Sequence, residues 1–100
     1  MAEVRWTLQA ANDLEAVCLF IARDAPQLAA IFAERAFRST ERIAVLPNSG
    51  RIVPEVSDPN LREIILGNYR LIYRVVEDAV QIITIHHGAR RLDLSKLNNT

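Results

Sequence analysis

Apolar and polar positions divide this chain into two helical stretches followed by a run of strands. At the start, Glu3 to Thr7 reads as a short strand with Val4 and Trp6 on alternate sides of Arg5. Thr7 is placed to cap a first helix, in which Ala10, Leu14, Val17, Cys18 and Ile21 recur at helical spacing through about Arg23. Asp24-Ala25-Pro26 stops that helix and starts a second, because proline in a first turn loses no hydrogen bond. The second helix is expected to run to about Leu46, ended by Pro47, with Ala29, Phe32, Ala36, Ile43 and Leu46 facing inward. Ile31, Arg35, Arg38 and Arg42 fall on its other side. Arg51 to Glu55 is extended, but Pro54 lacks the N–H of a central strand, so the segment is an edge or a loop. Three strands follow, 61–66, 69–76 and 80–87, separated by Gly67-Asn68 and Glu77-Asp78-Ala79.

The order β-α-α-β-β-β predicts an α+β domain, a helical hairpin packed on one face of a small antiparallel sheet. On the central strand Tyr69, Leu71, Tyr73 and Val75 form the set expected under the helices. Arg70, Ile72, Arg74 and Val76 then point to the open side, where an arginine row suits an anionic partner. One hundred residues read as a single domain, 1–100, whose polar segment 92–100 is either a flexible tail or a short helix.

Composition narrows the function classes. Twelve basic and twelve acidic residues cancel, so no whole-molecule field favours nucleic acid or membrane, and any anion site must be a local patch. Eleven of the twelve basic residues are arginine, a skew that base composition or bidentate anion contacts can produce. The single Cys18 excludes an internal disulfide and leaves no zinc pattern. No signal peptide is evident, and no apolar run reaches the ~18 residues of a membrane span. The expectation is a cytoplasmic protein without cofactor or metal.

Several motifs together resemble one family. Trp6-Thr7-x-x-Ala10-x-x-Asp13-Leu14, Ala22-x-Asp24-x-Pro26, and Pro47-x-x-Gly50-Arg51-x-Val53-Pro54-Glu55 are similar to the RelE/ParE toxins of bacterial type II toxin–antitoxin modules. Arg62-Glu63, Tyr69-Arg70-Leu71-Ile72-Tyr73-Arg74 and His87-x-x-Arg90 continue the likeness, which spans about Val4 to Leu92. The resemblance implies a growth-inhibiting toxin held by a cognate antitoxin, touching operator DNA only through that antitoxin. Within the family, RelE-like members cleave messenger RNA on the ribosome. ParE-like members, often called plasmid stabilisation proteins, poison DNA gyrase.

Where RelE carries two lysines before the hairpin, this chain has Leu61 and Glu63; where RelE has a catalytic tyrosine, it has a position near Lys96. The likeness is therefore to the ParE branch, with no catalytic residue and with Arg51, Arg62, Arg70, Arg74, Arg90 and Arg91 as candidate target or antitoxin contacts. The alternative, a ribosome-dependent endoribonuclease, would use Arg70, His87, Arg90 and Glu55, the set resembling the Glu–Arg–His trio of other nuclease members. A third reading is a degenerate, harmless homologue that only binds its antitoxin.

Each candidate also has a structural reading. Arg70 can pair with Glu63 or Glu55 across the sheet, Arg62 with Glu63 can be a solvated pair, and Arg74 reads as a surface charge. His86 and His87 must face opposite sides of their strand, which argues against a metal site. If His87 shares Arg70's side, the guanidinium charge makes it a better base than acid. Leu19, Phe20, Ile31 and Phe37 lie outside the inward stripes and read as an apolar patch for an amphipathic antitoxin segment, or as a misphased helix.

Overall fold

A computed structural model describes residues 1–97. The chain forms β1 (Glu3–Trp6), α1 (Leu8–Ala22), α2 (Pro26–Val45), a 3₁₀ turn (Pro47–Ser49), β2 (Arg51–Ile52), β3 (Leu61–Leu66), β4 (Tyr69–Val76), β5 (Ala79–His87) and a last 3₁₀ turn (Leu94–Leu97). The sheet order is β1-β5-β4-β3-β2. Neighbours from β2 to β5 are antiparallel, but β1 lies parallel to β5, so the sheet is mixed and not purely antiparallel. Alternation along a strand tells which face it buries, not which neighbour it takes or in which sense.

The local signals act as expected. Thr7 Oγ1 accepts from Ala10 N at 3.0 Å and caps α1, and Pro26 opens α2. Ala29, Phe32, Ala36 and Ile43 are buried, joined by Thr40 and Ala44. Leu46, expected inside, is exposed, because the helix ends at Val45 and Leu46 has left helical geometry (φ −128°, ψ 78°). The segment around Pro54 is an edge: Arg51 and Ile52 pair in register with β3, and Val53 N adds one bond to Leu61 O at 3.0 Å before the chain turns away.

Two apolar layers form, one on each face of the sheet. Under the helices, Ala10, Val17, Phe32, Ala36 and Ile43 pack on Ile64, Leu66, Leu71, Tyr73, Val80, Ile82 and Ile85. On the opposite face Val53, Leu61, Ile72, Ile83, Leu92 and Leu97 make a second, smaller core. The face that alternation leaves open is thus partly closed by the C-terminal segment, whose apolar residues Leu92 and Leu97 are too widely spaced to announce themselves. Residues 98–100 of the expected tail lie outside the described residues.

A bulge in β5 decides what each face carries. Ile72 sits opposite Thr84 and Tyr73 opposite Ile82, which leaves Ile83 as an extra residue. Val80 and Ile82 face the helices before it, and Ile85 and the His87 position do so after it. The cap of α1 and a residue of its second turn satisfy the polar groups there. Thr7 Oγ1 donates to Ile83 O at 3.1 Å, while Asp13 Oδ2 accepts from Thr84 Oγ1 at 2.5 Å and from Ile85 N at 3.3 Å.

Tyr73 ties the central strand to the turn after α2. Its fully buried hydroxyl group donates to Pro47 O at 2.7 Å and accepts from Gly50 N at 3.0 Å. A Cβ on Gly50 would lie 2.6 Å from that hydroxyl and 2.8 Å from Glu63 O, so no larger residue fits. Tyr73→Phe is expected to cost about 1–3 kcal/mol by orphaning both backbone groups. Gly50→Ala should cost a similar amount through overpacking, about 1–3 kcal/mol. Urea unfolding midpoints check both, and midpoints equal to the parent's would refute this account of the turn.

Candidate functional site

Arg70 leaves the centre of β4 on the face away from the helices and meets two carboxylates. Its Nε donates to Glu63 Oε1 at 2.6 Å, and its two terminal nitrogens donate to Glu55 at 2.7 and 2.8 Å. The Arg70 side chain is only 9% exposed and that of Glu63 is fully buried. Glu63 also accepts from Arg51 Nε, so the row runs Arg51–Glu63–Arg70–Glu55. Two guanidinium groups and two carboxylates leave it formally neutral. Sequence reading allowed Arg70 one acidic partner; it has both.

Each member is positioned by its element. Arg51 and Glu63 are register partners between β2 and β3, and Glu63 and Arg70 point to the same face from adjacent strands. Glu55 comes from the turn in which Val56 N and Ser57 N both donate to Val53 O, with Ser57 at φ +58°. The Arg70 guanidinium holds the Glu55 carboxyl down to about 2, and the same hydrogen bonds raise Arg70 above the usual arginine range.

The remaining cations divide into structural and exposed groups. Arg62 is not in a solvated pair with Glu63: it donates to three carbonyl oxygens, Pro59 and Gly50 at 2.9 Å and Asn48 at 3.1 Å. Arg74 is not a free surface charge either. It donates to Leu97 O at 3.0 Å, pinning the C-terminal turn, and pairs with Asp58 at 3.4 Å. Arg90 and Arg91 are exposed, and neither is in an ion pair among the described residues.

The nuclease-like set does not assemble. The bulge turns His87 to the helix side, where its ring packs edge-on against Tyr69 with centroids 5.2 Å apart. Tyr69 in turn meets Phe32 at 5.3 Å within the helix-side core. Arg70 and Glu55 lie on the opposite face, so His87 is not the base beside Arg70 that the alternative reading requires. His87 Nδ1 accepts from Ala89 N at 3.2 Å, and His86 Nε2 bonds Arg90 O at 2.9 Å. A cleft of about 570 Å³ places Arg90, Arg91 and Lys96 with His87, Phe20 and Asp13.

The four candidate apolar residues are exposed as expected, with helix phase intact, but they do not share one environment. Phe20 lines that cleft, whereas Phe37 packs on Trp6 with centroids 5.8 Å apart. Burial pushes the Cys18 thiol up, which disfavours a reactive thiolate. No group of three or more His, Cys, Asp or Glu residues fit for a metal occurs among the described residues. No helix there is long and apolar enough to cross a membrane.

A helical hairpin on a five-stranded mixed sheet is also the architecture of solved toxin–antitoxin chains. One, from the chromosomal ParDE system of P. aeruginosa, superposes with TM-score 0.72 at 23% identity, covering 87% of this chain and 96% of that one. A chain of the RelBE2 toxin–antitoxin complex from Mycobacterium tuberculosis gives TM-score 0.55 at 26% identity, covering 86% and 96%. Residues 4–92 match the family described as the ParE toxin of the type II toxin–antitoxin system parDE, and the chain belongs to that family. Curated relatives are Toxin RelE2 of Caulobacter vibrioides, 33% identical over 90% of this chain and 99% of that protein, and Putative toxin Y4kP of Sinorhizobium fredii, 33% identical over 85% and 86%.

The depressed Glu55 carboxyl has a consequence for acid stability. Its folded value of about 2 lies below the ordinary 4.5, so its contribution is complete above pH 4.5 and is lost as pH falls towards 2. Glu55 is 40% exposed, so solvent screening reduces the effect. Glu55→Gln is expected to unfold earlier than the parent at pH 5 and to converge on it near pH 2. Urea midpoints across that range measure the convergence; a gap that stays constant with pH contradicts the pairing.

Proposed function

We propose that this ParE/RelE-superfamily toxin arrests growth by docking on DNA gyrase and trapping cleaved DNA, with no catalytic residue of its own. The observation that carries the reading is the occupied state of Arg70. Cutting RNA through its 2′-hydroxyl needs a cation free to stabilise the phosphorane and a base beside it. Here the guanidinium is shielded by Glu55 and Glu63, and His87 lies across the sheet. The buried carboxylate of Glu63, where RelE has a lysine, opposes a polyanion still further.

A protein-docking toxin needs exposed, shape-holding surface instead. Arg90 and Arg91 beside the 570 Å³ cleft supply cations, and Phe20 supplies an apolar contact. A cognate antitoxin neutralises the toxin by covering such surface, and operator DNA is met only through it. A ribosome-dependent endoribonuclease is the second reading, favoured by the Toxin RelE2 likeness and by His87 and Arg90 sharing the cleft. Both targets place the protein in the cytoplasm.

The test is a supercoiling assay with purified gyrase and plasmid, stopped with SDS and protease. The proposal expects linear DNA to accumulate, and Arg90→Glu/Arg91→Glu to lose about tenfold or more in potency with an unchanged unfolding midpoint. Unaffected supercoiling at excess toxin, with codon-positioned cuts in ribosome-bound messenger, would overturn it in favour of the nuclease. Normal growth on expression without antitoxin would indicate a harmless homologue and overturn both.

A further inference from the structure

β1 is an outermost strand of the sheet and pairs on one side only, with β5. Glu3 N donates to Asp78 O at 2.9 Å and Thr7 N to Ile82 O at 3.0 Å, so the odd positions turn their backbone groups towards β5. By the same two-residue period Val4 and Trp6 turn theirs outward. Ala2 N is satisfied by Ala44 O at 2.7 Å, at the end of α2, but no described backbone bond outside the ladder reaches the Val4 N–H or C=O. Folded proteins blunt such an edge with proline, lysine, a bulge or an inward charge. β1 has none of these: it reads Glu-Val-Arg-Trp, its register with β5 is unbroken, and Val4 and Trp6 are the residues packed on the helix-side core.

The charges on β1 are self-complementary. Glu3 and Arg5 lie on the face away from the helices, one on each side of Val4. Within the chain they meet at 3.1 Å, and both side chains are more than half exposed. Exposed pairs of this kind are weak and easily exchanged. When the strand is laid antiparallel against a copy of itself about Val4, Glu3 falls opposite Arg5 of the other copy, and Arg5 opposite its Glu3. A parallel arrangement sets Glu3 against Glu3 and Arg5 against Arg5, which repels. The antiparallel arrangement is also a closed twofold interface, each copy offering the same patch. On the helix side it brings two valines together. It also sets Trp6 and the half-exposed Phe37, whose rings lie 5.8 Å apart, beside Ala2 of the other copy.

We propose that β1 is a self-association edge, on which a second copy of this chain pairs antiparallel and centred on Val4. The two Val4 residues exchange both N–H···O=C bonds, as a hydrogen-bonded pair of an antiparallel ladder does. Glu3 and Arg5 of each copy make two symmetric ion pairs across the dyad in place of the one within each strand, and the two five-stranded sheets become continuous. A four-residue strand makes a small contact, so the dimer is a weak one that forms at high local concentration. The pairing uses neither Arg90 nor Arg91, so it stands whether gyrase or the ribosome is the target.

Sedimentation equilibrium of the purified chain, over about 1 μM to 1 mM, reads the association directly. A reversible monomer–dimer equilibrium is expected. Glu3→Arg and Arg5→Glu each set like charges across the dyad and should weaken it about tenfold or more. An equimolar mixture of those two variants restores opposite charges at both positions and should form a heterodimer at least as tightly as the parent pairs with itself. Val4→Pro removes the outward N–H without breaking a ladder bond and should leave a monomer with the unfolding midpoint retained. If that variant unfolds, the mixture decides. A chain monomeric throughout, a dimer indifferent to both reversals, or a mixture as monomeric as its components would each overturn the proposal.

Discussion

The second face of the sheet depends on one buried carboxylate. Glu63 has no exposed side-chain surface, and it is tolerable only because Arg51 and Arg70 both donate to it. Removing either arginine leaves charge uncompensated in the interior, which costs far more than the pair returns by existing. From this constraint the neighbours follow. Arg51 must stay on β2 opposite Glu63, Arg70 must stay beneath Glu55, and the Val53–Ser57 turn must fold back to deliver Glu55. The edge strand, its turn and the central strand are therefore one electrostatic unit, with the Val53, Leu61 and Ile72 core alongside.

That unit changes what the arginine pattern means. Arginines on a strand suggest an anion grip, but Arg62, Arg70 and Arg74 are each consumed internally, by carbonyls, by carboxylates, and by the C-terminal turn. Among the described residues, cations left for a partner lie elsewhere, Arg90 and Arg91 after β5 and Arg35 and Arg42 on α2 among them. In a chain of zero net charge, internal neutralisation of the sheet arginines by Glu55, Glu63 and Asp58 leaves these outer positions as local basic patches.

Legibility in the sequence tracked the range of the physics. Thr7, Pro26, Pro47 and Gly67-Asn68 act within a turn of themselves, so the boundaries of both helices and of the β3–β4 hairpin could be read directly. Helical period identified Ala10, Val17, Phe32, Ala36 and Ile43 as core because burial repeats every turn. What escaped was non-local: the parallel seating of β1 on β5, and the return of Leu92 and Leu97 over the sheet. The solvated Arg62–Glu63 pair failed for the same reason, whereas the pairing of Glu63 with Arg70 held, since a charged residue's burial depends on partners many positions away.

The bulge is the sharpest instance, because one extra residue exchanges the faces of every residue beyond it. Strict alternation from Val80 and Ile82 would send His86 to the helices and His87 towards Arg70. Ile83 inverts this, and Thr7, the cap of α1, and Asp13 within that helix fix the inversion by bonding Ile83 O, Thr84 Oγ1 and Ile85 N. Asp13 thus acts on the site from a distance: it holds no ligand, yet it stabilises the register that keeps His87 against Tyr69 and away from Arg70. Separation of histidine from arginine is a property of the α1–β5 contact, so a nuclease trio on this scaffold would need that register undone, not merely a different side chain at one position.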